Sequence, residues 1–348
     1  MLEQPKIPKS FRSRLLAFYQ ANKRDLPWRH TSDPYSIWVS EIMLQQTQVK
    51  TVLPRYHEFL DEFPTVADLA AATEESVCEA WAGLGYYRRA RNLRKGACYV
   101  MEELGGVIPS TAGELEKIPG IGRYTAGAIA SIAFGEEAPL VDGNVVRFLA
   151  RYFVLPGDKE DKTLKKTLWA TTTEMVKGKQ PGDFNQALME QGATICKPVA
   201  PRCGECCVQR TCQAYEEGAP ETYPAPKPSA KRKSLFIAFA WHENKSGLWL
   251  EQRGLDGLWS GLWELPSGQG DTMEEALMNL SEKVSVDSSN ALMTVRHILT
   301  HRNVEAVIYP LEKLPRSRAS RGKRYRSPLE APISGLARKA IVATQSVL

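Results

Sequence analysis

Five of the seven cysteines lie within seventeen residues, and four of those five have the spacing of a metal or cluster site. The four are Cys196, Cys203, Cys206 and Cys212. Four thiolates on a short loop suit an iron–sulfur cluster. They also suit zinc, although zinc sites more often present two separated Cys-x-x-Cys knuckles or include histidine. The spacing therefore predicts a cluster or a zinc ion, with Cys207 surplus and Cys78 and Cys98 packed in the core.

Two carboxylates lie in contexts that could perturb their proton affinity. Glu41 is the lone acid of the largely apolar stretch Ile37–Thr47. It lies either on the exposed face of an amphipathic helix or in the core with a raised pKa. Asp142 precedes the apolar stretch Val145–Leu149, where an aspartate would cap a helix N-terminus. A carboxylic acid that stays protonated near neutral pH can act as a general acid.

Residues 115–126 contain the tetrad Pro-Gly-Ile-Gly between two predicted helical stretches. Gly120 and Gly122 permit close backbone approach, so consecutive amide N–H groups could converge on a phosphate at a helix N-terminus. A tight turn between two helices would need the same residues. The tetrad alone leaves a phosphate site and a simple turn open.

Together these features resemble the MutY-type adenine DNA glycosylases of the endonuclease III superfamily, over about residues 8–215. The segments that carry the likeness are Leu26–Arg29, Ile37–Thr47, Leu115–Ala126, Pro139–Val145 and the cysteine loop. The resemblance implies a helix-hairpin-helix that grips a DNA phosphate without reading sequence. It also implies that the four cysteines hold a 4Fe–4S cluster, with Lys197 and Arg202 on a basic loop that contacts DNA.

The resemblance implies a reaction as well. By it, Glu41 is the general acid and Asp142 stabilises an oxocarbenium-like sugar, with Tyr124 and Asn144 beside them. Bifunctional members carry a lysine nucleophile where this chain has Tyr124, and a phenol cannot form a Schiff base. The expected enzyme is a monofunctional glycosylase that removes adenine opposite 8-oxoguanine or guanine after base flipping. A bifunctional endonuclease and a non-catalytic damage-binding module are the alternatives.

Other positions match the family's contacts with the mispair. Trp28, Arg29 and, more weakly, Gln186 are expected to bind adenine. The residues expected at the opposite base or on the DNA are Gln46, Thr47, Leu84, Tyr86, Arg89, Gly120 and Gly122. Core packing is the alternative for Tyr86 and for Tyr87. Five basic residues and no acid lie between Leu84 and Met101, a stripe that would suit a phosphate track.

The chain beyond residue 235 resembles the Nudix-like, 8-oxoguanine-sensing domain of the same family. The likeness is carried by Leu250–Arg253, Gly257–Pro266 and Arg296-His297. A Nudix pyrophosphatase needs a run of carboxylates to hold Mg²⁺. Only Thr272–Ala276 follows at that place, so this domain is expected to recognise a base and not to hydrolyse a nucleotide.

The element that is usually Phe-Ser-His in this family is Leu299-Thr300-His301 in this chain. Thr300 keeps a hydroxyl and His301 is present, so both are expected at the opposite base, whereas the aromatic ring is lost. Residues 313–326 hold seven basic side chains and no acid. That segment either contacts DNA or is only a mobile charged loop.

Hydrophobic periodicity indicates which elements carry these residues. One helix is predicted from the spacing of Trp38, Ile42 and Val49. Two others are predicted at 87–101, ending before Gly105, and at 272–284. Strands are predicted at 235–241, 247–251 and 304–309. Four prolines within 220–228 predict a stiff exposed linker. The expected fold is a mostly α glycosylase domain, 1–218, then a linker, 219–234, and a smaller α+β Nudix-like domain, 235–348.

The length of 348 residues suits about two domains. With 43% hydrophobic and 24% charged residues, the composition is that of an ordinary soluble protein. No apolar run is long enough to span a membrane, and the start lacks the apolar core of a secretion signal. We therefore expect a bacterial-type cytoplasmic, nucleoid-associated monomer whose partner is double-stranded DNA. The net charge of +5 permits a polyanionic partner without demonstrating one.

Overall fold

The computed structural model describes residues 4–226, 232–254, 257–311, 313–315 and 322–348. By its internal contacts the chain divides into two compact units, Met1–Ala72 with Arg91–Pro228, and Thr73–Ala90 with Ser229–Leu348. In the ranges just given, no helix combines the length and the apolar character that crossing a membrane requires.

The described ranges contain fourteen α-helices and eight strands. The helices are α1 Phe11–Asn22, α2 Pro34–Leu44, α3 Val49–Glu62, α4 Val66–Ala71, α5 Glu74–Ala80, α6 Arg88–Glu103, α7 Ala112–Leu115, α8 Arg123–Phe134, α9 Gly143–Tyr152, α10 Lys162–Val176, α11 Pro181–Thr194, α12 Gln213–Glu216, α13 Met273–Ser281 and α14 Gly335–Gln345. The strands are β1 Lys233–Trp241, β2 Glu243–Asn244, β3 Gly247–Gln252, β4 Trp263–Glu264, β5 Ser267–Gly270, β6 Met293–Ile298, β7 Arg302–Pro310 and β8 Gly322–Tyr325.

The first unit is helical and its core joins α1, α9 and α11. On α9 the buried residues Val145, Phe148, Leu149 and Tyr152 recur at the spacing of one helix face. The ring of Tyr152 lies 4.7 Å from that of Phe11 on α1. This packing fixes α9, the helix that begins at Asp142.

The second unit contains two four-stranded sheets. In one, the strand order is β5-β1-β7-β6, with β1 parallel to β7 and the outer pairs antiparallel. In the other, β3 pairs with β2, β4 and β8. Helix α13, capped by the Thr272 side chain, packs on β1 and β5. The mostly α part and the smaller α+β part predicted from the sequence are both present.

Most predicted elements occur, but one helix is broken. The helix predicted at Trp38, Ile42 and Val49 is two helices, because α2 ends at Leu44 and α3 begins at Val49. Gln46 lies between them with φ +57°, in the left-handed region that a helix cannot contain. Periodicity did not reveal the break because apolar residues resume in phase after it.

The segment expected to be an exposed linker is held to the first unit along its beginning. Arg151 Nε donates a hydrogen bond to the carbonyl of Tyr223, and Ala225 forms a β-bridge with Asp158. Pro220–Thr222 is a short 3₁₀ turn. The groups that make these contacts, the Tyr223 carbonyl and the Ala225 amide N–H, belong to residues between the prolines, which themselves have no N–H to donate. Residues 227–231 of the predicted linker lie outside the described residues.

Candidate active site

Glu41 lies in the middle of α2 and is buried, with 5% of its surface exposed. The Asp33 side chain caps α2, and every residue from Ile37 to Met43 is buried, so this helix offers Glu41 no solvent-facing side. Burial raises the pKa of Glu41 to about 7. A hydrogen bond from Tyr124 lowers this pKa, the Asp142 charge raises it and the Arg29 charge lowers it. Of the two positions left open by the sequence, the core is the one observed.

Tyr124 is the direct polar partner of Glu41. Its hydroxyl donates a hydrogen bond to Glu41 Oε2 at 2.6 Å, and Met189 Sδ lies 3.3 Å from the Tyr124 hydroxyl oxygen. Burial and the Glu41 charge raise the pKa of Tyr124 well above its usual value. The phenol therefore remains a hydrogen-bond donor at neutral pH. When Glu41 is itself protonated, the Met189 sulfur can accept the hydrogen bond from Tyr124.

Asp142 caps α9, as predicted. Its Oδ1 accepts from the Val145 amide at 2.7 Å, and its Oδ2 accepts from Asn144 Nδ2 at 2.8 Å. Burial raises the pKa of Asp142, while these hydrogen bonds and the Arg147 charge lower it. A carboxylate held by two donors has a fixed orientation, so the capping role and a role in charge stabilisation are compatible.

Arg147 on α9 links Asn144, the partner of Asp142, to α11 and to the cysteine loop. Its Nη2 donates to Asn144 Oδ1 at 2.9 Å and to the Gly192 carbonyl at 2.8 Å, and its Nε donates to the Cys196 carbonyl at 2.8 Å. A Cβ on Gly192 would lie 2.8 Å from the Asn144 carbonyl oxygen, so only glycine permits this approach of α11 to α9.

A second buried carboxylate, Glu190, was not predicted from the sequence. Arg24 donates to Glu190 Oε1 at 2.9 Å and to Oε2 at 2.7 Å, and Arg29 Nη2 donates to Oε2 at 2.7 Å. Burial alone would raise the pKa of Glu190, but the hydrogen bonds from Arg24 and Arg29 outweigh burial and hold it at about 2. No local motif marks this cluster, because α11 lies 161 to 166 residues further along the chain.

The predicted adenine contacts occupy different environments. Trp28 is buried and packs edge-on against Tyr56, with 5.3 Å between ring centroids. Arg29 is committed to Glu190 and to the Arg24 carbonyl. Gln186 is half-buried on α11. Their contacts with a base remain predictions.

The four predicted ligands line one cavity, together with Phe148, Arg151 and other residues of the loop. Its empty volume is about 350 Å³, partly open to solvent. Across the described ranges, no three Cys, His, Asp or Glu side chains converge closely enough to bind a single metal ion. Arg151 Nη1 lies 3.5 Å from Cys196 Sγ, and Gln191 Nε2 donates to Cys206 Sγ at 3.1 Å. Four thiols around one cavity, with donors directed at two of the sulfurs, form a donor set whose chemistry, as thiolates, suits a metal ion or an iron–sulfur cluster.

The predicted hairpin connects α7 and α8. Gly120 has φ +86°, and a Cβ there would lie 2.8 Å from Asn92 Cβ, so a side chain is excluded by both conformation and space. Gly122 is the N-cap of α8. The turn is confirmed, and the phosphate contact remains a prediction.

Among the predicted DNA contacts, Tyr86 is 55% exposed and has φ +48°, a strained conformation for an aromatic residue. Arg89 Nη2 donates to the carbonyls of Leu84 and Gly85 at 3.1 Å each, and its guanidinium lies 5.5 Å from the Tyr86 ring. Arg89 thus shapes the loop that presents Tyr86. Leu84 is buried, and core packing applies to the neighbouring Tyr87 and not to Tyr86.

The basic stripe on α6 is only partly available to a phosphate backbone. Arg88 and Lys95 are exposed, whereas Arg89, Arg91 and Arg94 are half-buried. Arg94 Nε donates to the Ala72 carbonyl at 2.5 Å. Arg88 and Lys95 are therefore the fully exposed members of the stripe, and its contact with a phosphate backbone remains a prediction.

Two further predicted contact pairs lie on exposed turns. Gln46 is exposed and Thr47 half-buried in the break between α2 and α3. Thr300 and His301 are exposed in the β6–β7 turn, which the Leu299 amide closes by donating to the Arg302 carbonyl at 2.8 Å. Part of the basic segment 313–326, residues 316–321, lies outside the described residues.

Two family models match the chain. The model described as HhH-GPD superfamily base excision DNA repair protein matches residues 39–173, which include Glu41, Tyr124 and Asp142. The model described as NUDIX domain matches residues 237–341.

Several adenine DNA glycosylases are similar to this chain. Human adenine DNA glycosylase is 49% identical over 216 residues, which cover 60% of this chain and 40% of the human protein. Adenine DNA glycosylase of Buchnera aphidicola subsp. Acyrthosiphon pisum is 35% identical over 295 residues, 84% of this chain and 83% of that protein. The chain belongs to the adenine DNA glycosylase family. It spans about two fifths of the human relative's length.

A solved structure shares the fold of the helical unit. A thermostable thymine-DNA glycosylase superposes with a TM-score of 0.55 and 33% identity, over 60% of this chain and 96% of that chain. The glycosylase fold predicted from the sequence is confirmed. In this member of the adenine DNA glycosylase family, Glu41, Tyr124 and Asp142 act on one another electrostatically within that fold.

Proposed function

We propose that the protein hydrolyses the N-glycosidic bond of adenine mispaired with 8-oxoguanine or guanine and leaves an abasic site. The observation that carries this proposal is Glu41, a buried carboxyl with a pKa of about 7 that is hydrogen-bonded to Tyr124. Family membership supports it, as does the match of residues 39–173, which include Glu41, to the base excision repair family model.

Glu41 supplies the proton that makes adenine a leaving group. A carboxylic acid with a pKa near the working pH is populated as the acid and still transfers its proton readily. Tyr124 holds Glu41 Oε2 at 2.6 Å and so fixes the direction of transfer. After the base departs, the Glu41 carboxylate is placed to activate the attacking water.

Asp142 stabilises the positive charge that develops on the sugar. Its two oxygens are held by the Val145 amide and by Asn144, so no reorganisation is needed as the charge appears. In this proposal the target adenine first leaves the duplex, and Gln46 and Tyr86, each exposed in its own unit, are expected to contact the DNA.

The activity is monofunctional in this proposal. The phenol of Tyr124 lies where a lyase of the superfamily would carry its amine, and it cannot form a Schiff base with the abasic sugar. A bifunctional endonuclease is therefore disfavoured. A damage-binding module without catalysis is disfavoured because Glu41, Tyr124 and Asp142 are all in place.

In this proposal the Nudix-like domain, residues 235–348, recognises the base opposite the adenine. Thr300 and His301 lie exposed on the β6–β7 turn, where they can reach a base edge. Thr272–Ala276 provides no carboxylate run for Mg²⁺, which favours recognition over hydrolysis. The loss of the family's aromatic residue at Leu299 is expected to alter the preference for 8-oxoguanine over guanine.

The cysteine cavity is proposed to hold a 4Fe–4S cluster, with Cys196, Cys203, Cys206 and Cys212 as its ligands. The cluster supplies structure here, because bound thiolates fix the loop that carries Lys197 and Arg202. Arg151 and Gln191 donate hydrogen bonds to ligand sulfurs, as anionic thiolates require. We further propose a monomer that works on chromosomal DNA in a bacterial-type cytoplasm.

Duplexes containing 8-oxoguanine:A, G:A, T:G or thymine glycol test the proposal when the strands are resolved with and without alkali. Adenine release that needs alkali for strand scission is the expected result. Scission without alkali would identify a lyase, and no product with retained binding would identify a damage-binding module.

Variants connect that result to the site. Glu41→Gln and Asp142→Asn are expected to abolish adenine release in single-turnover reactions while DNA binding is retained, since general acid catalysis alone contributes about 10²–10⁴-fold. Near-normal rates in either variant would contradict the assignment of that carboxylate.

A further inference from the structure

Two buried glutamates of the helical unit have opposite proton affinities. Glu41 has a pKa of about 7 and Glu190 a pKa of about 2, although both are buried. The difference lies in their donors, since Glu41 has the neutral phenol of Tyr124 and Glu190 has two guanidinium groups. Such divergence between two acids of one protein lets it keep one acid protonated and another charged at the same pH.

Arg29 is the group that both carboxylates sense. Its charge lowers the pKa of Glu41, so it acts on Glu41 through space. Its donors are directed elsewhere, with Nη2 on Glu190 Oε2 at 2.7 Å and Nη1 on the Arg24 carbonyl at 3.0 Å. Only 7% of the Arg29 side chain is exposed, so water cannot screen its charge well.

An unrestrained guanidinium in this site would favour a different pairing. Arginine binds carboxylates with two parallel donors, and a direct ion pair would hold Glu41 in its charged form. A charged Glu41 has no proton to give to adenine. Glu190, already bound on both oxygens by Arg24, accepts Arg29 and offers it a better partner.

We propose that Glu190 is a positioning residue that holds the Arg29 guanidinium away from Glu41 and thereby keeps Glu41 protonated for catalysis. The inference rests on the proposed function for its catalytic consequence, but the restraint on Arg29 is a property of the protein without DNA. The other charged or titratable groups that act on Glu41 are Tyr124 from α8 and Asp142 at the start of α9.

The protonation of Glu41 is measured directly by isotope-edited infrared spectroscopy. The carbonyl band of a protonated carboxylic acid is followed against pH in the full-length protein and assigned to Glu41 by its loss in Glu41→Gln. In Glu190→Gln the midpoint of this band is expected to fall by about one pH unit or more, because Arg29 is released towards Glu41. The alkaline limb of single-turnover adenine release is expected to shift by the same amount.

Two further variants separate positioning from general damage. Glu190→Gln combined with Arg29→Met removes the released cation, so the midpoint is expected to return to the wild-type value or above it. Arg24→Met leaves Arg29 as the cation on Glu190, so its midpoint is expected at or above wild type. This variant keeps the proposal testable if Glu190→Gln does not fold.

Three results would overturn the proposal. They are an unchanged midpoint in folded Glu190→Gln, a double variant that behaves like Glu190→Gln alone, and a lowered midpoint in Arg24→Met. If the infrared midpoints move as expected but no duplex loses adenine, the proposed function fails while the positioning role of Glu190 stands.

Discussion

A buried acid with a raised pKa should destabilise the folded protein at high pH, and Glu41 makes this measurable. Its pKa is raised from 4.5 to about 7 in the fold. Below pH 4.5 the carboxyl is protonated in both folded and unfolded chains and has no effect on the pH dependence. Between the two values the unfolded chain releases a proton that the folded chain keeps, so stability falls as pH rises.

The size of this effect follows from the shift. A pKa raised from 4.5 to about 7 corresponds to about 3 kcal/mol of destabilisation, which is reached above pH 7, and most of it develops between pH 5 and pH 9. Glu41→Gln has no proton to lose. The free energy of unfolding of Glu41→Gln minus that of wild type should therefore rise by about 2 to 3 kcal/mol across this pH range.

Urea denaturation of both proteins, run anaerobically at several pH values, measures this difference. Groups that do not interact with Glu41 titrate alike in the two proteins and cancel, and Tyr124 stays protonated in this range because its pKa lies well above its usual value. A matched pair is Tyr124→Phe alone and Tyr124→Phe combined with Glu41→Gln. In this pair the difference in unfolding free energy should rise at a higher pH, because the hydrogen bond that stabilises the Glu41 carboxylate is gone. A difference that stays constant from pH 5 to pH 9 would refute the burial-raised pKa and with it the general-acid assignment.

Three other predictions concern single contacts. Tyr124→Phe should shift the alkaline limb of adenine release to higher pH by about one unit, because Tyr124 donates to the Glu41 carboxylate, and a shift to lower pH would contradict that bond. Asp142→Ala should lower the free energy of unfolding by about 1 kcal/mol more than Asp142→Asn, since asparagine keeps the cap on the Val145 amide; equal losses in urea unfolding would argue against the cap. Arg89→Ala should weaken binding to a mispaired duplex more than to a matched duplex, because the loop presenting Tyr86 loses its two carbonyl contacts, and an equal loss on both would make Arg89 a phosphate contact instead.

The sequence was most informative where a residue type fixes local geometry. The N-cap of α9 at Asp142 and the turn at Gly120 were predictable because each depends on a few adjacent residues. The ends of α6 and the strands β1, β3 and β7 followed from periodicity in the same way. Strands β4, β5 and β8 were not predicted, because each has four residues or fewer.

Prediction from the local sequence pattern was wrong or incomplete where the conformation or burial of a residue depends on which other elements pack against it. The break at Gln46 interrupts a pattern that continues in phase, and the arginines of α6 gave no indication of which would be buried. Arg94 is bound to the Ala72 carbonyl, a contact set by the position of α4 and not by the sequence of α6.

By itself the sequence determined the identity of the chemical groups, namely four thiols on one loop, an acid in an apolar helix and an aspartate before another helix. The tertiary structure alone decided their protonation. Glu41 and Glu190 are the same residue type, and their pKa values separate because a phenol from α8 faces one and two arginines from near the N-terminus face the other. Proton affinity depends on desolvation and on charges brought together from distant parts of the chain, and only folding fixes these.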